Sequence, residues 1–69
     1  SVFWGPMLRI AALGQLGRKE DAREDIQHLY ALKPEFDQKA DYLISRYVKE
    51  ESLVNHILEG LGKAGLELN

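Results

Sequence analysis

The sequence predicts an all-α protein built as two antiparallel helical hairpins, the first over residues 1–34 and the second over 35–69. Three observations lead there. Leu13-Gly14-Gln15-Leu16-Gly17-Arg18-Lys19-Glu20-Asp21-Ala22, followed by Ile26, Leu29 and Lys33-Pro34, spells helix, glycine turn, helix and proline stop. Apolar residues recur at helical spacing in four segments, and no alternating strand pattern competes with them. Slid against itself by 32 residues, the chain places Trp4 on Phe36, Leu8 on Ala40, Ala11 on Leu43, Ala12 on Ile44, Ala22 on Val54, Ile26 on Leu58 and Leu29 on Leu61.

The first helix is expected to begin near Pro6, a residue favoured in the first helical turn, and to end near Leu16, with Gly17 beyond it. Its side chains Met7, Leu8, Ile10, Ala11, Ala12, Leu13 and Leu16 are apolar nearly all round, which requires cover on more than one side. The second helix is expected over Lys19–Leu32. Glu20 and Asp21 lie at its positive dipole end, and Ala22 is small enough to pack tightly near Leu13 or Ala12. Ile26, Leu29 and Tyr30 face inward there, while Arg23, Glu24, Gln27 and His28 point to water. Asp37 is read as the cap of the third helix, whose apolar stripe is Phe36, Ala40, Leu43, Ile44 and Tyr47. The fourth starts around Glu50 or Glu51 and turns Leu53, Val54, Ile57, Leu58, Leu61 and Ala64 inward. It stops at Gly65, and the tail is ordered if Leu66 folds back.

The order of a glycine turn, an early alanine and a closing proline resembles one tetratricopeptide (TPR) repeat, whose period is 34 residues. The resemblance covers residues 2–34 by motif and 36–65 by periodicity, since Val48-Lys49-Glu50 stands where the first unit has Gly17. It implies a right-handed α-solenoid fragment whose second hairpin is a degenerate repeat capping the array. The wording Ile10-Ala11-Ala12-Leu13-Gly14-Gln15-Leu16-Gly17-Arg18, Pro34-Glu35-Phe36 and Leu58-Glu59-Gly60-Leu61-Gly62-Lys63-Ala64-Gly65-Leu66 resembles the terminal repeats of certain bacterial signalling proteins. In that group TPR-like tails follow a class III adenylate/guanylate cyclase domain or a winged-helix regulator domain. The implied role is a non-enzymatic protein-interaction scaffold at the C-terminal end of such an array, with a protein or peptide as partner. A homodimerisation module that pairs two parent chains is the alternative.

Composition narrows the classes. Sixty-nine residues bury only about 60% of the surface their unfolded chain exposes, so the core is small. With no cysteine, neither disulfides nor thiolate metal sites can supplement it. Nine basic against eleven acidic residues, net charge −2, lack the basic stripe of a nucleic-acid surface. Arg9, Gln15 and Arg18 interrupt the one apolar stretch that approaches a membrane span, and no basic region precedes it as in a signal peptide. Starting at Ser1 without methionine suggests a fragment or processed product, and a cytoplasmic setting is the default expectation.

No catalytic, metal-binding or cofactor-binding set emerges. Gly60-Leu61-Gly62-Lys63-Ala64-Gly65 matches G-x-G-x-x-G, but that motif binds a pyrophosphate only where it follows a strand and opens a helix, and here it closes one. His28 and His56 lie on polar helix sides without the three convergent ligands that a metal needs. The carboxylates Glu20, Asp21, Glu24 and Asp25 are accounted for by a helix start. Trp4, Phe36 and Tyr47 read as core because they share stripes with aliphatic residues.

The TPR resemblance assigns partner binding to the first helix of each hairpin, hence to Met7, Gln15, Lys39, Arg46 and Tyr47. Ala11 and Leu43 occupy the positions of the asparagine in a carboxylate clamp, which argues against that mode. The all-round apolar first helix adds a self-association face at Val2, Phe3, Met7 and Ile10. If no preceding repeat covers that face, it is expected to pair two copies.

Overall fold

A computed structural model describes residues 2–68 and turns the four periodic segments into four α-helices, with no strand among the described residues. These are α1 (Trp4–Gln15), α2 (Arg23–Leu32), α3 (Phe36–Ser45) and α4 (Glu51–Lys63), with a 3₁₀ turn at Lys19–Ala22 leading into α2. α1 begins two residues before Pro6, with the Met7 amide donating to the Phe3 carbonyl at 3.0 Å. Proline is harmless there because the first-turn amides have no intrahelical acceptor.

α1 and α4 end the same way. The Gly17 amide bonds the Gly14 carbonyl at 3.1 Å and the Arg18 amide the Leu13 carbonyl at 2.8 Å; Gly65 and Leu66 repeat this on Gly62 and Leu61 at 3.0 and 3.2 Å. These are Schellman motifs, and their turning residue must be left-handed, which Gly17 (φ +74°) and Gly65 (φ +112°) supply without a Cβ clash. Leu66 is consequently buried, and Leu68 packs against the core.

Two expectations about helix starts are corrected. The segment from Lys19 is first a tightened 3₁₀ turn, in which the Asp21 amide reaches the Arg18 carbonyl at 3.1 Å, and only then an α-helix. Asp37 is not a cap but lies inside α3, which opens from Glu35 with no side-chain cap. Pro34 explains the shift. It sits at the second position of a turn closed by the Phe36 amide on the Lys33 carbonyl (3.0 Å), and Glu35 (φ −99°, ψ 19°) has the third-position geometry of a type I turn that runs on into the helix. One proline thus ends α2 and starts α3. The α4 start at Glu51 is as expected.

Phe3, Phe36, Met7, Ile10, Leu29, Ile44 and Leu61 are the largest fully buried side chains. The Phe3 and Phe36 rings lie 5.9 Å apart, and Trp4 stands edge-on to Phe3 at 6.1 Å. α1 packs against α2 and α3 against α4, but the most extensive packing joins α1 to α4. Gly14 and Gly60 permit it. A Cβ on Gly14 would overlap the Gly60 carbonyl, and one on Gly60 would overlap the Ala11 carbonyl. Each carbonyl therefore occupies the place to which the opposite glycine's Hα points, the arrangement of a Cα–H···O contact between helices. Gly60 is thus buried against another helix, whereas Gly62 is exposed with nothing near its Cβ position.

Ala22 has no exposed surface, and its 3₁₀ turn lies against α1. Ala22→Phe should lower stability by roughly 1–3 kcal/mol through overpacking. An unchanged melting midpoint would place Ala22 outside the core.

Candidate protein-interaction surface

α1 is the centre of the fold, flanked by α2 and α4, so the side chains it leaves outside define the surface of most interest. The expected self-association face is overturned by this packing. Phe3, Met7 and Ile10 are 2%, 0% and 0% exposed, and only Val2 stays out. Phe3 is taken up by Phe36 of α3, and Lys33 reaches over its ring with Nζ 5.7 Å from the centroid. For the same reason Met7 cannot contribute to a partner surface, as was expected of it.

The open face of α1 and its C-terminal cap residue carries Leu8, Ala12 and Leu16, spaced i, i+4, i+8 and so aligned along one side. Leu8 is 39% and Leu16 68% exposed. Beside them a cleft of about 200 Å³ runs between α1 and α4, lined by Leu8, Ala11, Ala12, Gln15, His56 and Ile57. Leu53, expected to point inward, is 44% exposed one turn before Ile57. These positions were legible as apolar residues at helical spacing but not as surface, because α1 is apolar on every side.

Gln15 is the one predicted partner-binding residue in this cleft. Its Nε2 donates to the His56 carbonyl (3.1 Å) and to Glu59 (3.2 Å), and its Oε1 accepts from Lys63 (3.2 Å). It therefore fastens α1 to α4 on the polar side of the cleft. Across α1, Arg9 pairs with Asp25 of α2. Such exposed pairs contribute at most about 1 kcal/mol and chiefly set orientation.

The remaining predicted residues, Lys39, Arg46 and Tyr47, are exposed, so the structure does not bring them together with Gln15 into one cleft. Lys39 lines a wider depression with Gln38, Asp41 and Tyr42, and Arg46 lies over the Tyr42 ring at 5.9 Å. Tyr47, expected in the core, is 55% exposed, yet its ring lies 5.2 Å from that of Trp4.

His28 and His56 are exposed, and no three His, Cys, Asp or Glu side chains among the described residues converge on a metal position. The G-x-G-x-x-G string ends α4, with Gly60 committed to α1. The Tyr30 phenol is raised above its ordinary value, mainly by burial and further by the nearby carboxylates of Asp37 and Glu67. No helix among the described residues is long and apolar enough to cross a membrane. Compared with protein-family models, with curated proteins and with solved structures, the chain finds no match in any of the three.

Proposed function

We propose that this chain is a non-enzymatic protein-interaction module whose contact surface is the open face of α1 together with the α1–α4 cleft. The observation that carries this reading is the alignment of exposed Leu8, Ala12 and Leu16 on a helix whose Met7, Ile10 and Leu13 are buried. Exposed apolar stripes of this kind on small folded chains mark contact sites.

Within that reading, the chain is the C-terminal end of a TPR-like helical array in a bacterial signalling or regulatory protein. Support comes from the glycine turn, buried Ala22 and closing Pro34 of the first unit. The packing of α4 back onto α1 suits a capping position, since an interior repeat must keep both of its ends open to neighbours. A nucleotide cyclase is one candidate for the parent, and the catalytic residues for it would lie elsewhere. The second reading, a homodimerisation module, draws on the same exposed leucines.

A photo-crosslinking residue placed at Leu16, with Glu24 as a control on the polar face of α2, tests the proposal in cells. Protein adducts from position 16 and none from 24 are expected. No adduct at 16 would refute a contact role for this face.

A further inference from the structure

The open face of α1 has an order that is its own reverse: leucine, alanine, leucine at positions 8, 12 and 16. When two identical helices are laid antiparallel with Ala12 on the two-fold axis, Leu8 of one copy comes opposite Leu16 of the other. The small central residue then lets the helices approach while the leucines pack on either side. A two-fold interface must match a patch with itself, and the three apolar residues of this face do so. An antiparallel two-fold sets the α2 side of one copy beside the α2 side of the other, where Arg9, the one charged residue of α1, is already paired with Asp25.

From this self-complementarity we infer that a second copy of this chain occupies the α1 face, as an antiparallel α1–α1 pair centred on Ala12. The inference rests on the proposed contact role of this face and selects its occupant. The size of the contact sets its strength. α1 has 12 residues and is about 18 Å long, so the pair buries well under the roughly 800 Å² per partner of a stable complex. The dimer is accordingly weak and concentration-dependent.

The absence of native cysteine makes a clean test possible. Ala12→Cys places one thiol at the proposed axis, facing its own copy at a separation that a disulfide can span. Under mild oxidation this variant should form covalent dimer at least about tenfold faster than Tyr42→Cys, an exposed control on α3. Sedimentation of the unmodified chain should move from monomer at about 10 µM toward dimer mass at about 1 mM, and Leu16→Glu should abolish that move. Leu16 is largely exposed, so its variant keeps the helical circular dichroism of the parent chain. Equal crosslinking of the two cysteine variants, or monomer mass at the highest concentration, would overturn the pairing. In-cell adducts from position 16 to a different protein, in that case, would leave the contact role of the face standing.

Discussion

Phe36→Ala should leave the chain mostly unfolded or close to its melting point at room temperature. Phe36 is fully buried, opens α3 and receives the Phe3 ring at 5.9 Å, so it connects the N-terminal segment to the second half of the molecule. Truncating a buried phenylalanine costs about 3–5 kcal/mol, through lost transfer energy and the cavity left behind. At typical stabilities of about 0.05–0.15 kcal/mol per residue, 69 residues provide roughly 3–10 kcal/mol in all. Urea titration followed by circular dichroism measures the loss. Tyr42→Ala, at a side chain 63% exposed, should stay within about 0.5 kcal/mol of the parent. A loss below about 1 kcal/mol at Phe36 would mean that the Phe3–Phe36 contact does not hold the two halves together.

Gly14→Ala and Gly60→Ala should each destabilise the fold, against the usual trend for glycine in a helix. Propensity alone favours alanine by about 1 kcal/mol at such positions. Here the added methyl at residue 14 would run into the Gly60 carbonyl and lie 2.9 Å from the Ala64 nitrogen, and at residue 60 it would meet the Ala11 backbone, with Cα at 3.1 Å. Backbone cannot swing aside as a side chain can, so α1 and α4 must separate along their most extensive contact. The expected net loss is roughly 1–3 kcal/mol for each variant. The double variant should lose less than the sum, because both methyls push apart the same pair of helices. Gly62→Ala is the internal contrast: with open space around it, it should gain up to about 1 kcal/mol. If all three variants gained stability, the close α1–α4 approach would be excluded.

The helices themselves were legible in the sequence because their signals are local. The glycines that end α1 and α4, the proline between α2 and α3 and the acidic start of α4 each act on backbone angles or on dipoles within one turn. Small errors arose where one residue served two elements: Pro34 moved the start of α3 forward from Asp37, and the turn after Gly17 tightened into 3₁₀ geometry before α2. The candidate surface was only half legible. Gln15, Lys39, Arg46 and Tyr47 are outside the fully buried core, but Phe3, Met7 and Ile10 exchanged places with Leu8, Ala12 and Leu16.

That exchange marks the boundary between what the chain's own order of residues determined and what tertiary packing decided. Composition, periodicity and turn residues determined an all-α chain, its four helices and where each ends. Which side of α1 is covered was decided by contacts among residues distant along the chain: Phe36 receiving Phe3, and Gly60 meeting Ala11 and Gly14. On a helix apolar all round, two stripes have nearly the same burial energy when viewed alone. The choice between them falls to the partner that can approach most closely. Here that partner is α4, because a glycine on each helix removes the side chains that would hold the backbones apart.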